Sequence, residues 1–323
     1  MVSQRLEAFI LHPESGDFAD HAREAWAREL ETNELARRSA ERAGRAPGSL
    51  SGWWEVPLVP VALLRSPVAS VPSELEGLRL AAFDAAFSAA CLRASGSQPP
   101  MLSLVPTGAE GSWPSLWAER SIARHGGPGS LAAWSARGLD GMALRSWLSG
   151  RQREHRPAVL LATAQGLALA LDRVERQALR FRLATGSALV LALEPGSHDL
   201  ETAALGERLE SWLSLPARAL VRSYGALELG SVYYSRTLLG GDPELLVPPP
   251  WVRARVLDPA TLAEAPQGEP GLLALFDLAN LGVALHVLTE ELARAEAGGF
   301  RLLRRAGPAE LESSTRLAAE LAA

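Results

Sequence analysis

Between residues 101 and 225 the chain alternates short apolar runs with helical patterns, and this alternation constrains the fold more than any other feature. "MLSLVP" (101–106), "AVLLAT" (158–163), "ALVLAL" (188–193) and "ARALVRSYG" (217–225) read as buried strands. Between them, helical patterns start near Ser115 and Asp140 and cover 165–181 and 199–214. Parallel strands need a crossover connection, and a helix supplies it. The alternation therefore predicts stacked βαβ units around a parallel sheet, an α/β fold of layered sheets flanked by helices.

On either side of this region the pattern changes. Residues 3–44 read as two amphipathic helices. "WWEVPLVPVALL" (53–64) is apolar but carries Pro57 and Pro60, which predicts an extended segment rather than a helix. Residues 65–77 read as a polar linker, followed by a helix that carries Cys91. From 251 onward, "WVRARVLD", "GLLALFDL", "GVALHVLTE" and "GFRLLRRA" are short strands between Gly, Pro and Asp turns, a mainly antiparallel pattern. The expected organisation is 1–64, helices and the proline-punctuated segment; 65–250, the α/β core; 251–300, the antiparallel segment that completes a large domain; and 301–323, a hinge and short tail.

Composition removes several chemistries. All 32 basic residues are arginine, so no lysine exists to act as a tunable amine or Schiff-base former. A net charge of −5 argues against nucleic acid and anionic membrane as partners. The apolar run 157–171 is too short to span a bilayer, and the acidic N-terminus lacks the apolar core of a secretory leader. These features predict a soluble cytoplasmic protein. Cys91, the single cysteine, shares a helical face with Phe83 and Phe87 and reads as a small buried hydrophobe.

"VRSYGALELGSVYY" (221–234) raises a sharper question, because Glu228 lies among Leu227, Leu229 and Gly230. A carboxylate in an apolar run costs free energy unless it is exposed, paired or bound to a cation.

Five stretches carry a family resemblance. They are "WWEVPLVPVALL", "MLSLVPTGAEGSWPSLW", "VRSYGALELGSVYY", "PPPWVRARVLDPATL…GEPGLLALFDLAN" and "GGFRLLRRA", in that order from 53 to about 306. The chain resembles the acyl-protein synthetases of bacterial luminescence (LuxE-type), a branch of the adenylate-forming superfamily. The resemblance implies a fatty acid or acyl group as substrate, ATP/AMP and Mg²⁺ as cofactors, and a fatty acyl-CoA reductase subunit as partner. It implies that Tyr224 stacks on adenine and that Gly225 lets the backbone approach the nucleotide. Glu228 would hold Mg²⁺, Asp277 would accept the ribose hydroxyls, and Arg305 would sit at a hinge.

The chain also departs from the family pattern. The interval 64–80 lacks the Ser/Thr/Gly-rich phosphate cradle. Leu227 stands where the family carries a threonine, and Glu194-Pro195 where it has a Gly-rich turn. No cysteine stands in the C-terminal acyl-accepting position; Ser313 and Ser314 are there, with no evident base. Eighteen residues follow Arg305. The reading is therefore an eroded acyl-protein synthetase-like protein, weakly active or inactive in adenylation, a pseudoenzyme of the ligase family. Any surviving activity would be ATP-dependent fatty acid ligation through an acyl-adenylate. The alternative is a non-catalytic nucleotide- or acyl-binding protein, or a structural subunit of a fatty-acyl-processing complex.

Other tempting residues read as structural. "HGGPGS" (125–130) is a turn, since no G-x-S-x-G follows it. His198-Asp199 begins a helix, and His286 is a core histidine in an apolar strand. The six histidines show no metal-ligand spacing. Trp53, Trp54, Trp113, Trp117 and Trp251 mark segment edges.

Overall fold

The computed structural model describes residues 2–45, 50–65, 72–92, 95–96, 98–106, 112–135, 137–193 and 202–323. The described chain forms two compact units: 1–85 with 228–232 and 247–323, and 86–227 with 233–246. Glu194-Pro195, His198-Asp199, residues 66–71 of the expected linker and 107–111 of the "SLVP" loop fall outside the described residues.

The unit of 86–227 and 233–246 is the α/β part. Leu131–Ala132, Met101–Ser103, Val159–Thr163, Ala188–Leu193 and Leu220–Tyr224 lie side by side in parallel, and Tyr233–Ser235 pairs antiparallel with the last of these. Val159–Thr163, Ala188–Leu193 and Leu220–Tyr224 are buried at every position, the signature of a sheet covered on both faces. The crossover helices start where their caps dictate. Ser112, Asp140 and Thr163 accept backbone N–H groups at the first turns of Trp113–His125, Gly141–Glu154 and Ala164–Arg176. Cys91 is fully buried in a π-helical turn, Ser88–Leu92, that extends the helix Glu76–Phe87. Desolvation pushes its thiol far above the ordinary range, so it is not a nucleophile.

The other unit carries the antiparallel segment. Val252–Leu257, Pro270–Asp277, His286–Glu296 and Gly299–Arg305 pair in sequence, and Val59–Pro60 adds in parallel to the third of these strands. Two expectations need correction. Residues 3–44 form three helices, Val2–Leu11, Phe18–Thr32 and Glu34–Arg42. The two breaks, one more than expected, fall at a 3-10 turn begun by Pro13 and at Asn33, which ends one helix and caps the next by accepting from Leu35 and Ala36 N–H. The segment 53–64 is extended only in part. Trp53–Glu55 is a 3-10 turn, and Val61–Leu64 makes one helical turn once Pro60 has been passed. A proline is tolerated at such a start because the first turn has no N–H partner to lose.

Among the described residues, no helix is long and apolar enough to cross a membrane.

Candidate functional site: a chain of four charges

Glu228 and Arg305, far apart in sequence, are joined through two residues that sequence reasoning missed. Arg65 Nε lies 3.4 Å from Glu228 Oε1. Its Nη1 donates to both Glu290 oxygens at 3.0 Å. Arg305 Nη2 donates to the same Glu290. The order Glu228–Arg65–Glu290–Arg305 alternates in sign, with the two carboxylates 17% and 14% exposed and the two arginines 46% and 48%. The arginines thus remain open to solvent while the acids are mostly covered.

Local structure fixes each member. Arg65 follows the one-turn helix Val61–Leu64. Glu290 lies in the long strand His286–Glu296, and Arg305 ends the strand Gly299–Arg305 paired to it. Glu228 is held by its own backbone, because Asn280 Nδ2 donates to the Glu228 carbonyl at 3.1 Å and to Ala284 O at 2.7 Å. Arg79 donates to Asn280 Oδ1. Gly230 completes the fit: a Cβ there would stand 2.6 Å from the backbone of Ala279 and Asn280. The "DLAN" turn and the Glu228 segment are therefore one packed piece.

Asp277 belongs to the inner part of that piece. It is 1% exposed; Oδ1 accepts from Ala279 N at 2.9 Å and from Ser231 Oγ at 3.1 Å. Ser231 Oγ in turn accepts from Trp251 Nε1 at 2.9 Å. The other oxygen of Asp277, Oδ2, is buried with no hydrogen-bond partner among the described residues. Desolvation raises its pKa from 3.8 to about 6, against the lowering effect of these hydrogen bonds. His286 lies on the next strand. Its Nδ1–H donates to the Val56 carbonyl at 2.7 Å, while burial lowers its pKa to about 4 and keeps it neutral.

Tyr224 and Gly225 lie in the α/β unit. Tyr224 ends its strand and is 4% exposed, with its ring 6.0 Å from that of Tyr233. Gly225 leaves room for an indole: a Cβ there would be 3.0 Å from the Trp113 ring. Leu227 is 45% exposed.

The donor set does not fit a nucleotide carrying Mg²⁺ in the implied way. Glu228 is committed to an arginine, Asp277 is enclosed, and the approach that Gly225 would open is filled by Trp113. Among the described residues, no three Asp, Glu, His or Cys side chains converge as metal ligands. The solvent-facing guanidiniums of Arg65 and Arg305 suit an anion instead.

No protein-family model and no curated protein matches the sequence. Solved structures do. The chain is similar to 2-hydroxyisobutyryl-CoA ligase in complex with 2-HIB-AMP and CoA, with a TM-score of 0.64 at 16% identity over 88% of this chain and 73% of that one. It is similar to a long-chain-fatty-acid-CoA ligase from Archaeoglobus fulgidus, with a TM-score of 0.51 at 11% identity over 74% of this chain and 50% of that one. It is also similar to an ATP-bound RpMatB-BxBclM chimera, with a TM-score of 0.50 at 15% identity over 71% and 44%. The chain thus spans half or less of the last two. These likenesses show the fold alone: mixed α/β with an antiparallel C-terminal part, as in these solved structures.

Proposed function

We propose that this chain is an acyl-protein synthetase-like member of the adenylate-forming fold that is weakly active or inactive in adenylation. One observation carries the reading. The carboxylate expected to hold Mg²⁺ is paired with Arg65, 3.4 Å away, within a run of alternating charges. A cation entering there would have to displace a guanidinium already bound to two carboxylates. Mg²⁺, which keeps a near-octahedral set of oxygens and sheds water reluctantly, gains little by that exchange. Asp277 serves in this reading as a buried turn cap rather than a ribose acceptor.

The residues that remain usable are cationic. Arg65 and Arg305 could meet a phosphate or an acyl carboxylate by exchanging it for Glu290. ATP or AMP and a fatty acid are therefore ligands without efficient turnover. A fatty acyl-CoA reductase subunit stays the partner to test in the alternative reading, a structural subunit.

The test is pyrophosphate release with ATP, Mg²⁺ and a panel of fatty acids of increasing length. The expected result is no release above the fatty-acid-free control, with AMP and ATP binding within about tenfold of each other. Turnover with any fatty acid, or ATP binding a hundredfold tighter than AMP, would refute the reading.

A further inference from the structure

A second cationic site lies elsewhere in the same unit as the four-charge chain. A cavity of about 580 Å³ is lined by Arg42, Arg45, Arg255 and Arg316, with Trp54 and Glu55 on its wall. Three of these arginines have acidic partners. Arg42 meets Glu320, Arg45 lies 3.5 Å from Glu55, and Arg255 lies 2.7 Å from Glu264. Arg316 has no hydrogen-bond or ion-pair partner among the described residues and is exposed on the helix Glu312–Ala322. The Arg42–Glu320 pair, 45% and 42% exposed, is open to water, and such a pair is weak and can exchange its carboxylate for a better anion, whereas Arg255 and Glu55 are mostly covered. The cavity therefore holds four guanidiniums against one acid on its own wall, with one guanidinium wholly uncommitted.

The wall also carries a flat ring. Trp54 is 53% exposed, large for an indole, yet it is held in place. Its ring lies against Gly52, where a Cβ would come within 2.2 Å of ring carbons, and Trp53 packs edge-on at 6.1 Å. The Trp54 carbonyl accepts from Arg255 Nη1 at 3.1 Å, which joins the ring's backbone to the cationic wall. A propped, half-exposed indole beside several arginines offers both a stacking surface and forked donors for phosphate oxygens.

We propose that this groove binds a phosphorylated ligand with a planar ring, of the nucleoside diphosphate class. The ring stacks on Trp54, and the phosphates reach Arg316 and Arg42, whose exposed pairing with Glu320 is exchangeable. The volume is ample for such a ligand and far larger than a lone phosphate requires.

The probe is ADP, titrated calorimetrically against wild type, Arg316→Ala and Trp54→Ala, with amide hydrogen exchange to locate it. Both substituted side chains are exposed, so the variants keep the fold. ADP should slow exchange in Trp53–Glu55 and Glu312–Ala322. Arg316→Ala should weaken binding about tenfold, the effect of one charge-assisted contact. Trp54→Ala should weaken it at least about fivefold, and pyrophosphate should bind more weakly than ADP. The proposal is overturned if millimolar ADP protects neither segment. It is equally overturned if protection falls on Gly299–Arg305 instead, or if Arg316→Ala binds ADP within about twofold of wild type.

Discussion

Arg65 holds Glu228: the guanidinium Nε lies 3.4 Å from Oε1, and the same arginine grips Glu290 at 3.0 Å. This pairing explains why a carboxylate persists among leucines. Its charge is matched, and a sixth of the side chain still reaches water. The pair is partly solvated, so its net worth is small. Glu228→Gln should lower the unfolding free energy by less than about 1 kcal/mol, read from urea midpoints. A loss above roughly 3 kcal/mol would show a desolvated ion pair that water does not reach.

Removing the arginine should do more than removing the acid. Arg65→Ala leaves Glu228 and Glu290 close to where one guanidinium bridged them, with Arg305 still on Glu290. The freed Glu228, beside a Glu290 that Arg305 still holds through one oxygen, is the start of a hard-cation site. Mn²⁺ affinity, measured by electron paramagnetic resonance, should rise about tenfold over wild type. Unchanged affinity would mean that the two acids do not converge once the bridge is gone.

Much of this architecture was legible in the sequence, and the reason is periodicity. Short fully apolar runs such as Ala188–Leu193, alternating with helical patterns, fit strands covered on both faces, and the structure has that strand at the expected bounds. The antiparallel run after 251 was legible for the same reason. One of the two breaks within 3–44 was not legible, and Asn33 shows why: an asparagine inside a polar helical pattern looks like any solvated position until it caps a helix end. The charge chain was only half legible. Glu228 stood out by its apolar neighbours, and Arg305 by its resemblance to a family motif. Arg65 and Glu290 carried no such mark, since an arginine at a segment end and a glutamate in "LTEEL" read as ordinary surface. Strand pairing, which single-sequence patterns do not specify, is what brings Glu290 beside Arg305.

Asp277 and His286 should act against each other as pH falls. Asp277 has its folded pKa raised from 3.8 to about 6, so between these values the folded state holds a proton that the unfolded chain lacks. That stabilises the fold as pH drops through 6. His286 has its folded pKa lowered from 6.5 to about 4, so the unfolded chain holds the extra proton over nearly the same window and stability is lost. The two slopes oppose, and between pH 4 and 6 their sum is close to flat. Asp277→Asn keeps an oxygen for Ala279 N–H and Ser231 while deleting one slope. The variant should therefore lose on the order of 2–3 kcal/mol more than wild type from pH 6.5 to 4, by denaturant titration at each pH. Parallel profiles would mean that Asp277 does not titrate in this range.

Gly230→Ala should separate packing from charge. The added methyl would sit 2.6 Å from the Ala279–Asn280 backbone, which cannot yield as a side-chain tip does. Stability should fall by about 1–3 kcal/mol, as overpacking generally costs. Hydrogen exchange should speed at Ala279, whose N–H is bonded to Asp277. A neutral substitution would show that the 228–232 segment is loosely seated.

Leu227→Thr restores the residue type that the family resemblance places beside Glu228, and it should not restore adenylation. Leu227 is 45% exposed, so the substitution is tolerated by the fold and the outcome reports on chemistry. A hydroxyl aimed at developing charge is worth about 2–4 kcal/mol only when the remaining groups are already in place. Here Glu228 stays bound to Arg65, and groups that act as a unit do not add one by one. Pyrophosphate release by Leu227→Thr with saturating fatty acid, ATP and Mg²⁺ should match wild type. The double variant Leu227→Thr with Arg65→Ala, which frees the carboxylate as well, is the one that could show a rise. Turnover switched on by the single change would sink the reading, because Glu228 would then be serving a metal while still within reach of its arginine.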